Sequence, residues 1–324
     1  MSTEAYTETR DWYGEALVRL AKEDTNVFAL DCDLGRSTRS YRITEVDPSR
    51  FIEMGISEQD MISTAAGLSR MGKIPFANSF AIFITGRAFD QIRQQVSLPK
   101  TNVKVCGSSA GITQGPDGAT HQSVLDIAIM RSLPNMTVFS PADGNQTLWA
   151  VRAAYELNGP AYIRLSRFKI TTIFQKNEQF SIGKGVTLRE GKDIALLTHG
   201  PITRNVVSAA DILEKNGLNP GVYNFPTIKP IDSDMIQDIA SDYTNLISVE
   251  EHSIIGGLGS AVAEEIAGMR HNSSHLTRFG VKDVFGESGT AEELLKKHEL
   301  DPEGIAASVL QSLYPEAEGA PFDT

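Results

Sequence analysis

The sequence has 324 residues, of which 41% are hydrophobic, and its formal net charge is −11. This length predicts a soluble chain of roughly two domains, and no apolar run approaches the ~20 residues that a membrane span needs. The acidic charge disfavours nucleic acid and anionic membranes as partners, although local pockets can still bind anionic metabolites. A polar N-terminus unlike a signal peptide and two cysteines in apolar runs, Cys32 and Cys106, indicate a cytoplasmic protein with reduced thiols.

Short apolar runs alternate with helical patterns along the chain, which is typical of a parallel sheet covered by helices. In the first series, strands are predicted at residues 26–30, 74–78, 103–106, 137–140 and 160–165, and helices at 58–71, 84–96, 123–131 and 144–157. After a crossing segment, strands are predicted at 194–199, 221–225, 246–250 and 276–281, and helices at 203–216, 233–239 and 260–269. The fold class is therefore α/β.

Two successive α/β domains follow from this pattern. We place them at residues 1–170 and 191–315, with a linker at 171–190 and a frayed tail at 316–324. Two helix starts near the C-terminus have recognisable caps. Thr290 and Glu293 have the spacing of a capping box, and Asp301 precedes a proline as an N-cap residue does.

Glu58 is a candidate catalytic residue in the segment Gly55-Ile56-Ser57-Glu58-Gln59-Asp60. Ser57 and Asp60 have the spacing of a capping box, which places Glu58 in the first turn of a helix. An acidic residue there usually only complements the helix dipole, and taken alone that interpretation is favoured. The functional interpretation is a buried carboxylate that shares a proton with a ring nitrogen of a ligand.

Aromatic and polar residues follow Glu58 in an order that could form a binding site. Phe80 and Phe83 lie three residues apart after a predicted strand, so both rings can face one side of a turn, although core packing is the commoner role of such a pair. The polar segment 107–121 then follows the end of a predicted strand, which is where α/β proteins place ligands. It carries Asp117, in a common turn dipeptide, and His121, a potential partner for a substrate hydroxyl.

Other polar residues are less informative. Arginine suits phosphate or sulfonate oxygens, but composition cannot choose among five scattered candidates: Arg10, Arg36, Arg39, Arg164 and Arg167. The run Gly256-Gly257-Leu258-Gly259 lacks the full dinucleotide fingerprint and is interpreted as a tight strand-to-helix turn. No histidine and cysteine spacing indicates a metal site, and Glu250-Glu251-His252 alone is not one.

Taken together and in order, four segments resemble the C-terminal half of a transketolase, the thiamine-diphosphate enzyme that moves two-carbon ketol units between sugars. They are Gly55-Ile56-Ser57-Glu58-Gln59, Asp117-Gly118-Ala119-Thr120-His121-Gln122, Tyr162-Ile163-Arg164-Leu165-Ser166-Arg167 and Phe285-Gly286-Glu287-Ser288. The resemblance runs from about Arg10 to the end of the chain. It implies a pyrimidine-binding domain followed by the family's C-terminal domain.

The resemblance also implies roles for particular residues. Glu58 would bond N1′ of the cofactor aminopyrimidine and activate it, and Phe83, with Phe80, would stack on that ring. Asp33 is assigned to the same cofactor site, whereas no metal ligand is assigned. His121 would bond hydroxyls of the sugar near the reacting carbon. The remaining substrate residues are aligned with family positions that hold a terminal phosphate or read a hydroxyl: Arg10, Ser37, Asp117 and Arg167.

The sequence departs from the family in ways that bear on partner and substrate. The Gly-Asp-Gly motif that binds diphosphate and Mg²⁺, with its following asparagine, appears nowhere. A partner subunit resembling the N-terminal half is therefore expected to supply it, in a heterotetramer of two chains of each kind. Gly86 replaces a tyrosine of the pyrimidine pocket. Ser108-Ser109 stands where the family usually has a phosphate-binding histidine, so a sulfonated, branched or otherwise altered anionic sugar remains an alternative to the usual sugar phosphates.

Other functions remain open at the level of sequence. A 2-oxo-acid dehydrogenase β subunit shares the domain order and the glutamate. A deoxyxylulose-phosphate-synthase-like subunit is suggested by Ala110-Gly111-Ile112 and Ala88-Phe89-Asp90-Gln91. A non-catalytic structural subunit is a third alternative, which the retention of Glu58, His121 and both phenylalanines argues against.

Overall fold

The computed structural model describes residues 7–315, so the predicted tail at 316–324 lies outside the described residues. In chain order the strands are β1 (Thr7–Glu8), β2 (Val27–Asp31), β3 (Phe51–Glu53), β4 (Ile74–Phe80), β5 (Lys104–Ser108), β6 (Thr137–Phe139), β7 (Ala161–Arg164), β8 (Lys169–Ile170), β9 (Val186–Arg189), β10 (Ile194–Thr198), β11 (Pro220–Asn224), β12 (Thr227–Lys229), β13 (Asn245–Ser253) and β14 (His275–Val281). The α-helices are α1 (Thr9–Glu23), α2 (Gly35–Thr38), α3 (Glu58–Arg70), α4 (Phe89–Gln91), α5 (Asp126–Ser132), α6 (Gly144–Glu156), α7 (Thr203–Lys215), α8 (Ser233–Asp242), α9 (Leu258–Ala267), α10 (Ala291–Lys297) and α11 (Pro302–Leu313).

A seven-stranded sheet forms the centre of the first half of the chain, in the order β12-β6-β7-β5-β4-β2-β3. Its strands are parallel except for β12, which pairs antiparallel with β6. Helices α1 and α6 pack on one face, where apolar side chains such as Leu17 and Val151 meet strand residues such as Phe76. The strand order reverses between β2 and β4, so the carboxyl ends of these strands mark the expected ligand position of an open α/β sheet.

A five-stranded sheet forms the second half, in the order β14-β13-β10-β11-β9, with only β9 antiparallel. Its order reverses between β10 and β13. The two halves share one hydrophobic cluster, since Met61 and Val105 of the first half belong to the same buried group as Phe225 and Leu258 of the second. The expected α/β architecture of two successive domains is therefore confirmed.

Most predicted elements are present, with boundaries moved by a few residues, and several were missed. Helix α1 was not predicted, although Tyr13, Leu17 and Leu20 line its buried side at helical spacing. Strand β12 was also missed. It is contributed by the second half of the chain yet extends the first sheet, so only a pairing partner from elsewhere in the sequence makes it a strand. The predicted helix at 84–96 is divided by two wide π turns, Phe83–Arg87 and Ile92–Ser97, on either side of α4.

The predicted helix caps had mixed outcomes. The Thr290–Glu293 capping box is present in full. The one at Ser57 is wrong, because the Ser57 hydroxyl donates to the carbonyl of Met54 at 2.7 Å and makes no cap bond. Asp301 occupies the N-cap position of α11, but its side chain makes no cap hydrogen bond.

Two further predictions concern thiols and membranes. Cys32 and Cys106 are both buried and unpaired with each other, as predicted, and burial raises the pKa of each thiol to about 12. Within residues 7–315, no helix combines the length and the apolar character that crossing a bilayer requires.

Candidate active site

The candidate residues converge at the carboxyl ends of the first sheet. Phe80 ends β4 and is paired in register with Ser108 at the end of β5. The loop after β5 carries Asp117 and His121, and Arg167 follows β7. Because parallel strands end at one edge of a sheet, loops far apart in sequence meet here.

Glu58 lies at the start of α3 and is almost fully buried, with 1% of its surface exposed. One carboxylate oxygen, Oε1, accepts a hydrogen bond from the Ser79 hydroxyl at 3.1 Å. The other, Oε2, lies 2.5 Å from Nη1 of Arg87. Glu58 is therefore more than a solvated helix-dipole acid, because its carboxylate is held in a fixed position within the site.

Phe80, Phe83 and His121 form one aromatic group. The two phenylalanine rings are stacked, with centroids 6.0 Å apart and planes inclined by 19°. The His121 ring meets both rings edge-on, at 6.2 Å from Phe80 and 5.2 Å from Phe83. His121 Nδ1 also lies 2.9 Å from the Thr120 hydroxyl. The structure thus brings these three predicted residues into mutual contact.

Arg87 completes the group and was not predicted. Its guanidinium carbon lies 4.9 Å from the centroid of the Phe83 ring, while its Nη1 contacts Glu58. The side chain is 45% exposed, in contrast to the buried carboxylate. A planar cation therefore covers an aromatic face and occupies one oxygen of Glu58 in the free chain.

Arginine and acidic side chains form a second group beside this one. Arg10 donates from Nη1 to the backbone carbonyl of Ser37 at 3.0 Å and from Nε to Glu8 at 2.5 Å. Arg167 donates to Gln114 at 3.3 Å and lies 3.5 Å from the Asp117 carboxylate. The backbone nitrogen of Arg10 also donates to the carbonyl of Ser166, at 3.4 Å. Four of the five predicted substrate residues are thus linked through neighbouring segments: Arg10 at the start of α1, Ser37 on α2, and Asp117 and Arg167.

The other arginine candidates are each engaged by another side chain of the protein. Arg164 is 3% exposed and pairs with the fully buried Asp126 at 2.9 Å, so it cannot meet a substrate. Arg36 covers the Tyr41 ring at 5.2 Å, and Arg39 pairs with Asp11 at 2.6 Å.

Asp33 and the serine pair occupy distinct surroundings at the same sheet edge. Asp33 is exposed, has φ 61° and donates its backbone N–H to Glu53 at 2.8 Å. Ser108 and Ser109 are buried, and no hydrogen-bond partner of either hydroxyl lies among the described residues. This position therefore presents two small buried hydroxyls.

The second sheet has a polar group at its own switch point. Glu250 lies at the centre of this group and accepts hydrogen bonds from the backbone N–H groups of Leu258 and Gly259, at 2.8 and 2.9 Å. His199 and His252 lie 3.6 and 3.8 Å from the same carboxylate, and all three side chains are fully buried. The Gly256–Gly259 run is thus the tight turn that was predicted, and its helix N-terminus holds the protein's own anion.

Burial and charge act in opposite directions in this group. Burial opposes ionisation of Glu250, yet the neighbouring imidazoles of His199 and His252 hold its pKa below the usual value. Burial lowers the pKa of His199. Within residues 7–315, no group of three or more histidine, cysteine or acidic side chains is arranged to hold a metal ion.

Two residues with contacts to the site were missed by the sequence interpretation. Arg87 had a usable signal, since it follows Phe83 by four residues and so lies on the same side of a helical turn. Glu251 had none, because its contact with Thr113 joins residues 138 positions apart.

Comparison with known proteins agrees with this architecture. Residues 5–171 match the family described as "Transketolase, pyrimidine binding domain" and residues 183–305 match "Transketolase, C-terminal domain". A putative transketolase C-terminal section from Methanocaldococcus jannaschii is 44% identical, over 95% of this chain and 97% of that protein. A 6-deoxy-6-sulfo-D-fructose transketolase subunit from Clostridium sp. is 38% identical, over 91% of each chain.

A solved structure described as a split gene transketolase, inactive beta4 tetramer, is similar as well. It is 43% identical, covers 94% of this chain and 98% of its own, and superposes with a TM-score of 0.87. The chain belongs to the transketolase family and consists of its pyrimidine-binding domain followed by its C-terminal domain.

Proposed function

We propose that this chain is the C-terminal subunit of a two-component transketolase, which transfers a two-carbon ketol unit between anionic sugars with thiamine diphosphate. The observation that carries the proposal is the joint placement of Glu58, Phe80, Phe83 and His121. A buried carboxylate lies beside a stacked aromatic pair, and a histidine lies against the same rings. Family membership supplies the reaction class.

The residues of the cleft fit the aminopyrimidine end of thiamine diphosphate. A flat heteroaromatic ring needs an aromatic surface and a polar group at its edge, and Phe83 with Phe80 and the Glu58 carboxylate provide these. Glu58 would hold a proton against the ring nitrogen, because its position is fixed by burial and by Ser79. Asp33 is assigned to the same site. When bound, thiamine diphosphate supplies the electron sink for cleavage of a carbon–carbon bond beside a carbonyl.

The neighbouring loops suit a sugar with an anionic end. His121 would bond hydroxyls near the reacting carbon, and Asp117 would bond one further along. Arg10, Arg167 and Ser37 would hold the terminal group, since arginine pairs its donors with phosphate or sulfonate oxygens. In the free chain Glu8 and Asp117 partly neutralise these arginines, so an incoming anion would exchange with them. The similarity to a sulfofructose transketolase subunit keeps a sulfonate among the candidates.

A partner subunit is proposed to bind the diphosphate and Mg²⁺. The sequence contains no Gly-Asp-Gly motif, and relatives of similar length are described as a C-terminal section and as a split gene transketolase. A heterotetramer of two chains of each kind would give two complete sites.

The test is reconstitution with a candidate N-terminal-half subunit, followed by calorimetric titration with thiamine diphosphate and Mg²⁺ and by an assay of ketol transfer. We expect tight binding by the pair, little by this chain alone, and transfer only by the pair. Glu58→Gln should lower the transfer rate by a factor on the order of 10² or more, because activation needs a proton at this carboxylate.

Asp60→Asn is the matched control, because Asp60 is an exposed acid in the same helical turn. It should leave the rate unchanged. Full transfer by this chain alone would refute the two-component assignment. Full transfer by the Glu58→Gln pair would refute the assigned role of Glu58.

A further inference from the structure

The loop that carries Asp117 and His121 is held in place by the second half of the chain. An antiparallel bridge between Gly111 and Ser123 closes its base. Between these points the backbone has positive φ angles at Gly111, Gly115 and Gly118, so the loop has an irregular path. A loop of this kind has many alternative conformations, and contacts from outside must select one of them.

Glu251 makes the central contact. It lies on β13 with 2% of its surface exposed, and its Oε1 accepts hydrogen bonds from both the backbone N–H and the hydroxyl of Thr113, each at 2.7 Å. Gly111 allows this approach, because a Cβ at that position would lie 2.1 Å from the same oxygen. Loss of this acceptor would leave two buried donors of Thr113 unpaired, which is costly inside a protein.

The contact continues from Thr113 towards the substrate arginines. The Thr113 hydroxyl lies 3.4 Å from that of Ser166, which accepts from the backbone of Phe168 at 2.9 Å. The backbone of Ser166 exchanges hydrogen bonds with the Thr9 hydroxyl at 2.8 and 3.1 Å. Arg10 and Arg167 are the immediate neighbours of Thr9 and Ser166. The buried Glu251 carboxylate of the second sheet is thus connected, through Thr113, to the segments that carry Arg167 and Arg10.

A second contact from the same half supports the other end of the loop. The side-chain amide of Gln122, next to His121, donates to the backbone carbonyl of Glu287 at 2.8 Å. None of the hydrogen bonds of Glu251 or Gln122 reaches Glu58, Phe80 or Phe83. The hydrogen bonds from the second half are therefore directed to the sugar side of the cleft, and the cofactor side meets that half through apolar packing.

We propose that Glu251 is a positioning residue that fixes the loop of Asp117 and His121 for binding of the sugar. This inference rests on the proposed function, because it assigns that loop to the sugar. In this proposal the C-terminal domain contributes to sugar binding indirectly, through a residue of β13 that positions a loop of the first domain.

The experiment compares Glu251→Ala, Glu251→Gln and Thr113→Val in the reconstituted complex. Glu251→Ala should raise the KM for the sugar about tenfold, the size expected when a buried donor loses its acceptor, while kcat falls less and the affinity for thiamine diphosphate stays unchanged. Glu251→Gln keeps an accepting oxygen and should restore a KM near that of the wild type. Thr113→Val removes only one of the two bonds and should give an intermediate KM, even if Glu251→Ala does not fold.

Amide hydrogen exchange of the full chain provides a readout without substrate. Residues 112–122 should exchange faster in Glu251→Ala, while residues 56–62 and 80–87 should not change. The matched control is Glu250→Gln, a neighbouring buried acid with no contact to the loop, which should lower stability but leave the KM and the exchange of 112–122 unaltered.

Several results would overturn the inference. One is a folded Glu251→Ala or Thr113→Val variant with wild-type KM and wild-type exchange at 112–122. Another is a Glu251→Ala variant that, like Glu250→Gln, loses stability but keeps the wild-type KM and wild-type exchange at 112–122, which would make Glu251 a stabilising residue only. If the wild-type pair transfers no ketol unit, the proposed function fails, and the exchange data alone decide whether Glu251 fixes the loop.

Discussion

The two sheets place polar side chains at equivalent positions, the carboxyl ends of strands where the strand order reverses, but the two edges differ in access. At the first edge, the Arg87 side chain is 45% exposed, Asp117 is exposed, and His121 is half-buried. At the second edge, His199, Glu250 and His252 are fully buried. The first edge is open to a ligand, whereas the second is sealed against the first half of the chain.

The difference shows that a position in the fold is not sufficient for a site. At the second edge a helix N-terminus, which commonly binds anions, already holds the Glu250 carboxylate. Its neighbour Glu251 is directed to Thr113 of the first half. At the first edge the polar groups keep partners that an incoming ligand can replace, such as Arg87 on Glu58 and Asp117 on Arg167. The exchangeability of the partners distinguishes the two edges.

The largest effect is expected at Arg164, which lies on β7 of the first sheet and donates a hydrogen bond to the carbonyl of Glu251 beside the sealed edge, at 2.8 Å. Arg164→Met would leave the buried Asp126 carboxylate without its cation, and removal of one member of a buried ion pair typically costs about 3–5 kcal/mol. We expect a loss of that size in the free energy of unfolding, measured with urea. Arg167→Met, three residues away in the open cleft, should change stability by less than about 0.5 kcal/mol and instead raise the KM for the sugar. Equal losses of stability in the two variants would contradict the distinction.

The sequence predicted the open edge better than the sealed one. Apolar periodicity gave both sheets, and the position of Glu58 in the first turn of α3 follows from local pattern, although the cap at Ser57 was wrong. Helix α1 was missed although Tyr13, Leu17 and Leu20 carry a helical period. Apolar periodicity and the position of a residue within a helical turn depend only on residues close together in sequence, so the sequence alone can indicate them.

The remaining features depend on residues distant in sequence. The choice between Arg164 and Arg167 could not be made from their shared segment, because only the fold shows that Asp126 lies against the first and Asp117 against the second. Glu251 and Thr113 meet only because the second sheet packs on the first. Strand β12 exists only through its pairing with β6.

The next largest effect is on the pH dependence of the free energy of unfolding, which should have opposite signs for an acid at each of the two edges. Asp31, buried beneath the loop of Ser37, has its pKa raised to about 6 by burial, against hydrogen bonds from Thr38, Ser40 and Leu34. The native state therefore holds this proton more tightly than the unfolded chain does. Stability should fall by about 2–3 kcal/mol as the pH rises from the unfolded pKa of about 4 through the native value.

The measurement is urea unfolding between about pH 2 and pH 8 for the wild type, Asp31→Asn and Glu250→Gln, because the Glu250 effect lies below its unfolded pKa of about 4.3 and the Asp31 effect above its unfolded pKa of about 4. Asparagine cannot ionise, so Asp31→Asn should gain stability relative to the wild type as the pH rises across that window. The Glu250 pKa is lowered, so its contribution is present above the unfolded pKa of about 4.3 and is lost as the pH falls through the native value. The difference between Glu250→Gln and the wild type should thus change in the other direction. The same direction for both variants would contradict the assigned shifts.

The smallest effect is expected at Arg87, where exchangeability can be tested directly. Arg87→Met removes the cation from Glu58 and from the Phe83 ring, so thiamine diphosphate would no longer compete with it. Arg87 is 45% exposed, so solvent screens its attraction to the buried Glu58 carboxylate. We therefore expect a gain of only about threefold in cofactor affinity, measured by calorimetry of the reconstituted pair. Arg93→Met, which removes an exposed arginine paired with Asp90 on the same segment, should leave the affinity unchanged. A weaker affinity in Arg87→Met would mean that Arg87 supports the bound cofactor, and the open edge would then share the fixed pairing of the sealed one.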